Sequence, residues 1–107
     1  MSQEINRMLL ELERSMRAIN REVINPAIQE LTLDRLRPVL NLVANARARY
    51  LKALFDLGAS AENASPTAAQ FEQLAERRRE YEELVSGAKA LETAIQRGYV
   101  DIAPSRR

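Results

Sequence analysis

The residues best suited to chemistry are three consecutive arginines, Arg77, Arg78 and Arg79, in the stretch QLAERRREYEELV. A guanidinium carries a permanent charge and a planar fork of donors, so what it binds is an anion, either a phosphate or a carboxylate. The run is interleaved with Glu76, Glu80, Glu82 and Glu83, which would repel a phosphate backbone. Residues able to stack on bases are few, namely Phe55, Phe71 and three tyrosines, and most fall at helix-seam spacing. A helix-turn-helix needs a short second helix after a tight turn, and the helices here are too long. Nucleic acid is therefore disfavoured as a partner, and a nucleic-acid-associated regulator using Arg-rich helix faces is the alternative reading.

Other chemistries are poorly supplied. The chain has no cysteine and no histidine, so it lacks a thiol nucleophile, disulfides, the commonest general base and the commonest metal ligand. Glu72, Glu76, Glu80 and Glu83 cannot form a Glu-x-x-His carboxylate metal site and read as a solvated helix face. Tyr50 and Tyr81 sit at seam positions, where packing with the hydroxyl at the edge is expected. DLGAS and SGAK lack the glycine spacing and the preceding strand of a phosphate loop. The expectation is a non-enzyme with no cofactor, no metal and no evident small-molecule substrate.

Charge sets no long-range field, with 16 basic and 15 acidic residues. Division at Gly58 gives nine basic and seven acidic residues before it and seven and eight after, so neither part is a charged arm. No apolar run approaches the roughly 18 residues of a membrane span. The polar start MSQEINR lacks the layout of a secretion signal. The expected location is cytoplasmic, without a membrane partner. Arginine supplies 14 of the 16 basic residues, which suggests a GC-rich bacterial or phage coding bias.

The elements that must position these groups are helices. Ile5, Leu9, Leu12, Met16, Ile19 and Val23 recur at alternating spacings of four and three, a heptad seam on an amphipathic helix over about 3–24. Arg7, Arg14, Arg17 and Arg21 occupy its other face. Asn25-Pro26 should end it and start a short second piece, because proline disfavours helix in the residue before it. A helix over about 34–57 follows, capped by Thr32 or Asp34 and closed by Gly58, with Pro38 in or just past its first turn. A third runs over about 66–97, opened by Ser65-Pro66 or by a Thr67/Gln70 capping box and closed by Gly98. The expected fold is all-α: an antiparallel hairpin (34–57 with 66–97) plus the N-terminal helix, as a three-helix or coiled-coil-like bundle completed by dimerisation. Residues 1–98 form one domain, and 99–107 a tail that is weakly ordered or docked on a partner.

Within the hairpin the spacing pairs Leu54 with Phe71, Tyr50 with Leu74, Val43 with Tyr81, Leu40 with Val85 and Leu36 with Ala88. Arg47 and Arg78 then interrupt the two seams in one layer, with Arg77 inside the apolar arc. Either the arginine stems lie along the seam with their heads in water, or the layer is an internal polar cluster neutralised by carboxylates. Glu82 is one turn from Arg78, and Glu11 and Glu13 flank the level of Arg47. The last helix should outrun the second, leaving Leu91 and Ile95 in need of cover, and Ile28 and Leu31 in the linker present further apolar surface. With the N-terminal seam, these residues form the expected interface of a helical protein–protein interaction module, an adaptor, chaperone-like or structural accessory protein that associates as a homodimer, with another protein partner, or both.

Overall fold

The computed structural model describes residues 2–61 and 64–103. It contains three helices, α1 (Ser2–Ala27), α2 (Leu33–Ser60) and α3 (Ala68–Gln96), which account for 83% of the described residues. The protein is all-α, with α2 and α3 packed as a hairpin. Residues 62–63 of the expected interhelical loop and 104–107 of the expected tail lie outside the described residues. The chain divides into two compact units, one of Met1–Arg35 with Leu91–Arg107, the other of Leu36–Ala90.

Helix α1 runs through Asn25-Pro26 to Ala27 rather than stopping before it. A proline in the last turn forfeits only its own N–H, and the neighbours hold the helix together. Ile24 and Asn25 are half-buried, and the Ile28 N–H reaches the carbonyls of Ile24 (3.2 Å) and Asn25 (3.4 Å). The short helical piece expected next does not form. The chain runs on without helix to Leu31, whose N–H donates to the Asp101 carbonyl and whose carbonyl accepts from Ala103, both at 2.8 Å. This is an isolated parallel bridge between Leu31 and Ile102. It buries Leu31 to 5% exposure and, with it, Tyr99 and Val100.

The tail therefore differs from its expectation, because over 99–103 it docks on its own chain. The cause lies in how α3 ends. Gly98 has φ 72°, the left-handed conformation that glycine adopts without steric cost. The Gly98 N–H donates to Ile95 (3.2 Å) and the Tyr99 N–H to Ala94 (2.9 Å), the paired bonds of a Schellman cap. That reversal turns Tyr99 and Val100 inward, close to the buried Ala94.

In the second unit the hairpin ends differ from expectation, by three residues at the end of α2 and two at the start of α3. Gly58 is not a left-handed cap, and α2 continues to Ser60. The Ala61 N–H bonds the Leu57 carbonyl, and the Ser60 hydroxyl also donates to it (3.1 Å), closing the extra turn. Helix α3 starts after Thr67 rather than at Pro66. The Gln70 N–H donates to Thr67 Oγ1 (3.1 Å) and the Thr67 N–H to Gln70 Oε1 (2.8 Å), a reciprocal box that satisfies two donors where a single N-cap serves one. At α2 the cap is Thr32, whose Oγ1 accepts from the Arg35 N–H at 3.1 Å.

These shifts move the hairpin register. Tyr50 meets Tyr81 with ring centroids 5.8 Å apart, not Leu74, and Ser60 meets Gln70. The pairing is displaced by one to two turns from the expected one, because the turn pivots on Ser60 and Thr67 instead of Gly58 and Pro66. The face rotates as well. The covered residues of α2 are Leu36, Val39, Val43, Ala46, Tyr50, Ala53 and Leu57, again at four–three spacing. Ala46, 1% exposed, takes the place expected for Arg47, and Leu40 and Leu54 are exposed. Small residues at Ala46 and Ala53 let the helices approach closely, which a count of large apolar side chains overlooks. The expected overhang of α3 is absent, since α2 has 28 residues and α3 has 29.

Candidate functional site

The arginine run divides by its position on α3. The covered face of α3 passes through Gln70, Leu74, Arg77, Tyr81, Leu84 and Ala88, so Arg77 is the seam arginine. Its Nη1 donates to Glu80 Oε1 at 3.0 Å, with both side chains about 40% exposed, and Arg49 Nε reaches the same oxygen at 4.0 Å. Glu80 thus serves two guanidinium groups, one from each helix of the hairpin. Arg78 pairs with Glu82 one turn on at 3.5 Å, and Arg79 with Glu72 two turns back at 2.9 Å, on open surface. The Glu72 carboxylate, by hydrogen bond and charge, pushes the Arg79 pKa above its ordinary value. Every arginine of the run faces a carboxylate of its own helix.

Arg47 behaves otherwise. Its Nε donates to the Tyr81 hydroxyl at 3.2 Å, and its guanidinium carbon lies 5.4 Å from the centre of the Tyr81 ring. This is a cation–π contact with a hydrogen bond, not a carboxylate pair. Among the described residues no carboxylate comes within ion-pair distance of Arg47. The expected layer of Arg47 with Arg78 is therefore corrected: α3 presents Tyr81 to Arg47, because the register has shifted. Glu11 and Glu13 pair with neighbours on α1, Arg14 at 3.5 Å and Arg17 at 3.4 Å, both exposed.

An open cleft of about 440 Å³ in the hairpin unit is lined by Asp56, Ser60, Gln70, Gln73, Glu76 and Arg77, among others. Several of its polar groups already have partners: Gln70 caps α3 and bonds Ser60, Asp56 accepts from Lys52, and Arg77 faces Glu80.

The most unusual surface is α1. It has no buried residue, and everything from Ser2 to Ile19 is exposed. Its seam of Ile5, Leu9, Leu12, Met16, Ile19 and Val23 is 44–66% exposed, with Met8 and Leu10 exposed beside it. What the chain packs against α1 lies elsewhere on the helix. Arg21 Nη1 donates to the Gly98 carbonyl (2.8 Å) and Nη2 to Asp101 Oδ1 (2.7 Å). The Arg21 hydrogen bond, then that of Asn25, holds the Asp101 pKa below its ordinary value. Arg21 and half-buried Asn25 lie about 160° round the helix from the centre of the seam, and half-buried Ile24 about 100° from it, at roughly 100° per residue.

The other expected interface residues fare differently. Leu31 is buried and Ile28, Leu91 and Ile95 are half-buried within their own unit, covered by the returning tail and its neighbours. Sequence reasoning missed Glu80 as the shared carboxylate, although its place three residues after Arg77 could have shown it. It also missed Arg21 with Asp101, 80 residues apart, for which there is no local signal. No described helix is long and apolar enough to cross a membrane. No protein-family model, curated protein or solved structure matches this chain.

Proposed function

We propose that this protein is a non-catalytic helical interaction module that works by docking the apolar seam of α1 against protein, a second copy of itself in the first instance. One observation carries the reading: all six residues of a heptad seam are exposed, on the face of α1 turned away from the Arg21–Asp101 tail contact. In proteins most of the stability of a helix comes from packing an amphipathic face rather than from its intrinsic propensity. Contiguous exposed apolar patches of this kind mark interaction surfaces. The nucleic-acid alternative draws no support from the arginine run, since Arg77, Arg78 and Arg79 each face a glutamate.

The test is the solution mass of the wild type beside Leu12→Glu, by multi-angle light scattering over a range of concentration. The reading expects a wild-type mass above the monomer and a monomeric variant with unchanged hairpin stability. A wild type that stays monomeric and captures no protein through α1 would remove it.

A further inference from the structure

The hairpin unit carries a second uncovered stripe. On α2, Leu40, Ala44, Arg47, Leu51 and Leu54 repeat at four–three spacing, one residue on from the covered seam and so about 100° round from it. In an antiparallel pair, one residue on from the seam is the same side of both helices. Exposed Phe71 of α3 therefore shares this face, as does Arg78. Its α2 wall is an apolar stripe with one charge in the middle, Arg47, which has no carboxylate within ion-pair distance among the described residues, and its α3 wall carries Arg78, paired with Glu82, and Lys89 beside Phe71 and Val85.

We infer that this groove receives α1 of a second copy, as the third helix of a bundle, with Glu11 and Glu13 of the incoming helix meeting Arg47. This rests on the interaction-module reading and names the surface that the seam docks on. The periods match: set Leu12 level with Arg47, and four of the five remaining seam residues of α1, all but Val23, fall within one residue of Leu54, Leu51, Ala44 and Leu40. The lengths match as well, about 27 Å from Ile5 to Val23 against about 21 Å from Leu40 to Leu54 at ~1.5 Å per residue. The charges complement each other, because Glu11 and Glu13 flank Leu12 and are held only by exposed pairs on their own helix. Exchanged reciprocally, α1 of each copy covers the stripe of the other, so both stripes of both copies are used. Pairing α1 with α1 would leave the hairpin face bare.

The absence of cysteine makes the test clean. Leu9→Cys protein is mixed with Leu51→Cys protein, and separately with Ala44→Cys protein, under mild oxidation. An antiparallel incoming helix joins the first mixture and a parallel one the second, and only a contact between copies can join singly labelled chains. The expected result is a mixed disulfide dimer in one mixture and far less product from any variant alone. Arg47→Glu should weaken the wild-type dimer about tenfold or more, and adding Glu11→Lys with Glu13→Lys should restore it. Efficient cross-linking of Leu9→Cys alone, or no mixed product from a dimeric protein, overturns this docking and leaves the interaction reading standing. A wild type that is monomeric at every concentration overturns self-association itself.

Discussion

Arg21 holds Asp101 at 2.7 Å from the polar side of α1, and with the same guanidinium takes the carbonyl of Gly98, the residue that ends α3. The tail is thus tied to α1 without touching the apolar seam. One arginine fixes which face of the helix the chain uses for itself and which it leaves uncovered.

That contact makes the tail pH-sensitive. The Asp101 pKa is depressed by Arg21 and Asn25, so its contribution is present above the unfolded value, about 4. It is lost as the pH falls through the depressed folded value. Amide exchange at Leu31 and Ala103 should therefore accelerate on acidification below about pH 4, beyond the intrinsic change. Asp101→Asn should show the faster exchange already at neutral pH.

Gly98 is the second support of the tail. Gly98→Ala forces an L side chain into a left-handed conformation at about 1–2 kcal/mol. An added Cβ meets no atom within 4 Å, so the cost is in the backbone alone. Thermal unfolding should show a drop of several degrees. Gly58→Ala, with no positive φ to lose, should be neutral or slightly stabilising.

The rotated seam of α2 can be tested by volume. Ala46→Leu places a large side chain where only 1% of the alanine is exposed and should cost about 1–3 kcal/mol in denaturant unfolding. Leu54→Ala, read in a monomeric background such as Leu12→Glu, should change stability by less than about 0.5 kcal/mol. The opposite ranking would restore the seam that the large apolar residues suggest.

The capping box at α3 sets the register through its place in the chain. Thr67→Ala should cost about 1 kcal/mol, and Gln70→Ala on top of it much less than its separate value, because the two bonds are reciprocal.

Helix content and the α2–α3 hairpin were legible in the sequence because heptad spacing is a local property. The register was not, because it hung on where two helices stop. Gly58 has the composition of a cap, yet Ala59 and Ser60 extend the helix at little cost, and the Ser60 hydroxyl and Ala61 N–H close it on the Leu57 carbonyl. The face is not legible either, because by size Leu40, Arg47 and Leu54 outweigh Val39, Ala46 and Ala53, and it is these smaller residues that are covered in the hairpin. Arg77 and Arg78 exchanged roles as a direct result. The seam of α1 was legible residue by residue, whereas its isolation depends on Arg21 and Asp101, which only the folded chain brings together.

The central claim is that the α1 seam is covered only by another molecule. Amide hydrogen exchange of α1, followed as the wild-type protein is diluted, tests it most directly. Protection of residues 5–23 should rise with protein concentration and fall away on dilution, while Leu31 and the α2–α3 hairpin keep theirs. Protection of α1 that is strong and independent of concentration would show that the chain covers this helix itself, and would contradict the account.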